Sequence, residues 1–152
     1  MIPNVEILLV EDSDNDAELT IRSLRREKIV NHIERVIDGE QALDFLFCRG
    51  QYEGRSFAHL PRLVLLDLKM PKVDGLEVLA QIKQDARTRS IPVVVMTSSR
   101  EQPDIARAYQ LGANSYVQKP VDFDQFHQLV KQLGLYWILV NHPPTAGSLN
   151  AE

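Results

Sequence analysis

Three short aliphatic runs, Ile7 to Val10 (ILLV), Leu63 to Leu66 (LVLL) and Val93 to Met96 (VVVM), constrain this chain more than any other feature of it. Proline, acidic or Ser/Thr residues bound each run, and an apolar run without polar alternation suits a central parallel strand buried on both faces. Ile33 to Ile37 and Ser115 to Val117 are weaker strand candidates. Between the strands, apolar residues recur three or four apart: Ala17, Ile21, Leu24; Ala42, Leu43, Leu46; Gly75, Val78, Leu79, Ile82; Ile105, Ala108, Tyr109; and Phe126, Val130, Leu133. Such spacing marks amphipathic helices. Five strand-helix units with right-handed crossovers predict an α/β fold, a doubly wound (βα)5 parallel sheet covered on both faces. Its ligand site is expected beyond the carboxyl ends of the strands.

Composition narrows the partners. A chain of 152 residues, 44% hydrophobic and 25% charged, fits one domain with its own core. Seventeen Lys+Arg against 21 Asp+Glu give a net charge of −4 without a basic stripe, which argues against direct nucleic-acid binding. No apolar stretch approaches a membrane span, and Ile7 to Val10 lacks the flanks of an export signal. The single cysteine, Cys48, and the scattered His32, His59, His127 and His142 predict neither a disulfide nor a zinc site, so a cytoplasmic location is expected. Residues 1–141 are read as the folded domain and 142–152 (HPPTAGSLNAE) as a disordered tail. Gly50 to Pro61 reads as an extended loop.

The chemistry lies where the strands end. Strand one runs into Glu11 and Asp12, strand three into Asp67, strand four into Thr97, Ser98 and Ser99, and strand five is followed by Lys119 and Pro120. Each residue alone has a bland reading as a helix cap, a turn residue or a solvated charge. Together they meet on one sheet edge. Carboxylates converging there repel one another unless a cation sits among them, and Mg²⁺ suits such oxygen donors.

At this point the chain resembles the receiver domains of two-component response regulators. The resemblance rests on LLVEDS (Leu8 to Ser13), LLDLKMPKVDG (Leu65 to Gly75), VVMTSS (Val94 to Ser99), Tyr116 and QKP (Gln118 to Pro120), and covers about residues 5–135. It implies a flavodoxin-like fold and phosphoryl transfer from a sensor histidine kinase to Asp67, the phosphoacceptor. It further implies that Asp12 and Asp67 ligate Mg²⁺, with Glu11 acting through water and the Lys69 backbone carbonyl completing the set. Lys119 would neutralise a phosphoryl oxygen, with the Thr97 hydroxyl and the Ser98 N–H as further donors. Thr97 and Tyr116 would be the switch pair, Tyr116 turning inward on phosphorylation, and the Lys119-Pro120 bond would be cis. Lys69 and Ser99 would flank the phosphoryl group and control water access. Glu11 replaces the Asp of many members, retaining the charge with one more methylene. The long Gly50 to Pro61 loop and the apolar C-terminal helix look like the stand-alone regulators paired with bacterial phytochrome kinases.

Two surfaces are singled out. Arg22, Arg25 and Arg26 on the first helix are candidates for docking the kinase. Leu135, Tyr136, Trp137, Ile138 and Leu139, followed by Val140, would point all round a helix and expose an apolar homodimer interface, unless Gly134 breaks that helix and folds the segment back. The competing reading is a phosphorylation-independent receiver-like interaction or dimerisation module. A hydrolase is disfavoured by Lys69 where a second Asp would stand, and a flavin binder by the acids after strand one.

Overall fold

In the computed structural model, which describes residues 5–142 and 144, five parallel strands alternate with five helices. They are β1 (Ile7–Val10), α1 (Asp14–Arg26), β2 (Ile33–Val36), α2 (Gly39–Leu46), β3 (Leu63–Leu66), α3 (Gly75–Gln84), β4 (Val93–Thr97), α4 (Gln102–Gln110), β5 (Ser115–Gln118) and α5 (Phe123–Gly134). The sheet order β2-β1-β3-β4-β5 reverses direction at β1. Loops after β1 and β3 therefore leave toward opposite faces, and a crevice opens between them.

The strands sort their side chains by alternation. Leu8, Val10, Val64, Leu66, Val93 and Val95 pack with α2, α3 and the buried Ala108 of α4. Ile7, Leu9, Leu63, Leu65, Val94 and Met96 pack with α1 and α5 on the other face. Four of the five helices begin on side-chain caps: Ser13 accepts from the Asp16 N–H, Asp38 from Gln41, Asp74 from Glu77 and Asp122 from Gln125. Glycine is required twice where loops press on helix starts. A Cβ on Gly75 would lie 2.3 Å from the Asp67 carbonyl oxygen, and one on Gly39 would lie 1.9 Å from that of Val73.

Several expectations change. Gly50 to Pro61 is not extended: it holds two 3-10 turns, Gly50–Tyr52 and Phe57–His59. Arg55 clamps it, its guanidinium carbon 3.6 Å from the Phe45 ring centroid and its Nη atoms donating to the carbonyls of Phe45 and His59. Tyr109, expected on the buried face of α4, is half exposed, and only Ala108 of that helix is buried. Gly134 does not break α5. It brings that helix close to Leu24 and Ile29, and the chain continues as a π-helical turn, Leu135–Val140, closed by the Asn141 N–H donating to the Tyr136 carbonyl at 2.7 Å. The widened turn buries Ile138 against α1 and the sheet and rests Trp137 on the same core, so Ile138 is removed from the exposed set. Leu135, Tyr136, Leu139 and Val140 remain exposed. Most of residues 142–152 lie outside the described residues.

Candidate functional site

β1 and β3 are hydrogen-bonded neighbours in register, Val10 beside Leu66, so the residues that follow them emerge side by side. The Asp67 N–H donates to the Val10 carbonyl at 3.1 Å and fixes that alignment. Carboxylate oxygens of Glu11, Asp12 and Asp67 all lie within 4.8 Å of one another, with Glu11 and Asp67 buried and Asp12 exposed at the rim. This oxygen-only donor set, with one side open, fits a hard divalent cation that keeps part of its water shell.

Lys119 enters from the far side. β5 pairs with β4, and the Lys119 N–H donates to the Thr97 carbonyl at 2.8 Å. Its Nζ then reaches Glu11 Oε1 at 2.6 Å, Asp16 Oδ2 at 2.8 Å and Asp67 Oδ2 at 2.8 Å, with the lysine side chain only 8% exposed. One ammonium thus spends its three protons on three carboxylates. No peptide bond among the described residues is cis, so the bond expected to be cis, Lys119-Pro120, is trans. X-Pro bonds favour trans by about 0.5–1 kcal/mol, and Lys119 makes all its contacts in that form.

The charges follow from burial and this lysine. Burial pushes the Glu11 carboxyl up from its ordinary 4.5 to about 7, with Lys119 only partly offsetting it. Burial also raises Asp67, but the Lys119 hydrogen bond and charge outweigh it and hold Asp67 below its ordinary value. Burial works against the Lys119 ammonium, yet its bonds to Asp16, Asp67 and Glu11 raise its pKa and keep it charged. Asp67 is therefore held in its charged form, behind the exposed Asp12 at the rim.

The remaining candidates sit on the loops around this centre. Lys69 is exposed, and its N–H donates to Asp67 Oδ1 at 3.3 Å. With Asp12, Met70, Asp74 and Asp104 it lines an open cleft of about 460 Å³. Thr97 is fully buried at the end of β4, and its Oγ1 has no well-formed hydrogen bond among the described residues. Ser98 is exposed beyond it. Ser99 is turned aside: its hydroxyl donates to Asp104 Oδ2 at 2.6 Å, which tethers the start of α4. Tyr116 is half-buried against the core, and its hydroxyl donates to the Ser99 carbonyl at 3.0 Å.

Sequence reasoning passed over Asp16 and Asp104. Asp16 stands in the first turn of α1, just after the acidic run Glu11-Asp12, and that closeness in sequence is the signal that it shares the site. Asp104 had no comparable signal. Arg22, Arg25 and Arg26 are exposed on α1, with Arg22 paired to Glu18 at 2.5 Å.

Residues 7–131 match the response regulator receiver domain. The chain is 46% identical over 138 residues to a probable methanogenesis regulatory protein, FilR2, of Methanothrix harundinacea, covering 91% of this chain and 86% of that one. It is 38% identical to the response regulator Rcp1 of Synechocystis over 90% of each. A crystal structure of the Mn²⁺-bound form of Rcp1 superposes with a TM-score of 0.86, covering 94% of this chain and all of that one. The phosphorylated cyanobacterial phytochrome response regulator RcpA, 36% identical, superposes at 0.87 over the same shares.

Proposed function

Because the chain belongs to the response regulator receiver family, we propose that it takes a phosphoryl group from a sensor histidine kinase on Asp67, in a reaction that requires Mg²⁺. The observation that carries this reading is the Asp67 carboxylate, held between the Lys119 ammonium and the acidic pair Glu11 and Asp12, next to an open cleft that Asp12 and Lys69 line. One Asp67 oxygen forms the P–O bond as the P–N bond of the phosphohistidine breaks, the electron pair leaving with the imidazole nitrogen. The transition state is loose, so the residues mainly align and neutralise. Lys119 releases part of its grip on Asp67 and meets a phosphoryl oxygen, while the Thr97 hydroxyl and the Ser98 N–H take the others. Glu11, Asp12, Asp67 and the Lys69 carbonyl would hold Mg²⁺, which spreads the developing charge when bound. Hydrolysis of the acyl phosphate returns the carboxylate. Incubation with a small phosphodonor, with and without chelator, tests the reading: uptake that ignores chelation, or no uptake, overturns it.

Cation binding should be pH-dependent. With its carboxyl near 7, Glu11 holds a proton that a cation must displace, so affinity rises between about pH 6 and 8 with proton release. Without metal, the folded state keeps that proton from about 4.5 to about 7 while the unfolded chain has lost it, so this group's contribution to stability falls as pH rises through that window. Calorimetric titration in buffers of different protonation enthalpy reads the release, and equal heats across buffers would dismiss it.

The signal would travel through Thr97 and Tyr116. Thr97 closing on the phosphoryl group pulls the loop that carries Ser99, and Ser99 is bonded to both Tyr116 and Asp104 of α4. With one buried side chain, α4 is loosely held and suited to move. The partner is read as a bacterial phytochrome, supported by the likeness to the phytochrome response regulator RcpA, and the setting as cytoplasmic. Arg22, Arg25 and Arg26 are its docking patch: Arg22→Ala with Arg25→Ala should slow phosphotransfer at low salt and do less at high salt. An unchanged rate at low salt removes the patch. The domain is read as residues 1–141, followed by a disordered tail.

Exposed Leu135, Tyr136, Leu139 and Val140, with Trp137 beneath, support a homodimer through the C-terminal turn. Tyr136 and Trp137 form an edge-to-face pair at 4.9 Å, the rigid aromatic anchor that interfaces favour. Wild type is expected to sediment as a dimer at micromolar concentration, and Leu135→Glu or Leu139→Glu as a monomer. A wild type monomeric with and without phosphodonor ends the assignment.

A further inference from the structure

We propose that Arg35 of the edge strand β2 is a positioning residue for the cation site, holding the turn that presents Glu11 and Asp12. This rests on reading the acidic cluster as that site. Arg35 Nε donates to the Glu11 carbonyl at 3.0 Å and Nη1 to Asp14 Oδ1 at 2.8 Å, so one planar fork spans the β1–α1 turn from Glu11 to Asp14. Asp12 lies between the two anchor points. The Glu11 N–H donates in turn to the Val36 carbonyl at 3.0 Å, so β2 grips Glu11 from both sides of its α-carbon.

Two features argue that this residue serves the site more than the fold. The Arg35 side chain is only 23% exposed, and its Nη2 is buried with no hydrogen-bond partner among the described residues, an arrangement that costs folding free energy. An aliphatic residue on this strand position would pack against α1 without that cost. Charge alone also gives no reason for it, because a guanidinium beside the acidic turn repels an incoming cation. What remains is geometry: the fork sets where the Glu11 and Asp12 carboxylates point, as outer-shell partners of metal ligands do.

The test separates geometry, charge and folding. Mg²⁺ is titrated calorimetrically into wild type, Arg35→Lys, Arg35→Gln and, as control, Asp12→Asn. Arg35→Lys keeps the charge but not the fork, and its Kd for Mg²⁺ is expected to rise about tenfold. Its metal-free melting temperature should stay near that of wild type, and phosphodonor uptake at saturating Mg²⁺ should recover. Wild-type affinity in Arg35→Lys overturns the proposal, as does tighter binding in Arg35→Gln with no change in Arg35→Lys, which would mean charge only. Uptake that stays low at saturating Mg²⁺ in step with lost folded protein, in both variants, makes Arg35 merely structural and also overturns it. If Asp12→Asn itself binds Mg²⁺ like wild type, the cation-site reading fails first; if Asp12→Asn loses binding and Arg35→Lys does not, Arg35 alone is dismissed.

Discussion

Asp67→Asn is expected to abolish phosphoryl uptake while leaving the protein folded. Asn keeps the shape and one acceptor oxygen, so it can meet Lys119 or the Lys69 N–H but not both, since Asp67 serves them with different oxygens; an amide is also no nucleophile toward phosphorus. The loss should be complete under conditions where wild type gains one phosphoryl group, as read by intact-protein mass. Lys119 is freed from one of three carboxylates, so the variant should melt close to wild type. Equal labelling of Asp67→Asn would move the acceptor to another residue, and the nearest carboxylates, Glu11 and Asp12, would be the next to test.

Lys119→Met should make stability depend on a divalent cation. The wild-type ammonium satisfies Glu11, Asp16 and Asp67 at 2.6 to 2.8 Å, and Glu11 and Asp67 are buried. Removing one partner of a buried ionic cluster leaves uncompensated charge and costs about 3–5 kcal/mol. Mg²⁺ at a hundred times its Kd should return about 2.7 kcal/mol by mass action. Phosphoryl uptake should fall about 10²- to 10³-fold even then, because a donor to the developing charge is gone. Chemical denaturation with and without Mg²⁺ measures the first effect. A variant as stable as wild type and indifferent to Mg²⁺ would show that Lys119 does not balance the cluster.

The strands were the most legible elements. Ile7–Val10 and Leu63–Leu66 end where the apolar runs end, because a strand covered on both faces is built almost wholly of apolar residues. β4 extends one residue further, to Thr97, whose hydroxyl is buried with it. Helix faces were harder to read. The three-four spacing of Ile105, Ala108 and Tyr109 looked like a core stripe, yet Ala108 is the one fully buried residue of α4. Leu135 to Val140 gave no periodicity at all, and only the π-helical turn decided that Ile138 goes inward while Leu135 and Leu139 stay out.

The site divides along the same line. Glu11, Asp12, Asp67, Thr97 and Lys119 could be assigned to one edge from the chain alone, because parallel strands joined by right-handed crossovers must end together. Which of them touch was a different matter. Asp16 reaches a lysine 103 positions away, Arg35 reaches across from the sheet edge to Glu11 and Asp14, Ser99 prefers Asp104 to the site, and Tyr116 is already docked on the Ser99 carbonyl. Local pattern determined the strands, their order of burial and the edge where the chemistry sits, since these follow from hydrophobicity and backbone handedness over a few residues. Only the packed structure decided how the charges pair, because an ion pair depends on distances of a few ångströms between side chains far apart in sequence, and those distances exist only once the sheet and helices have closed around them.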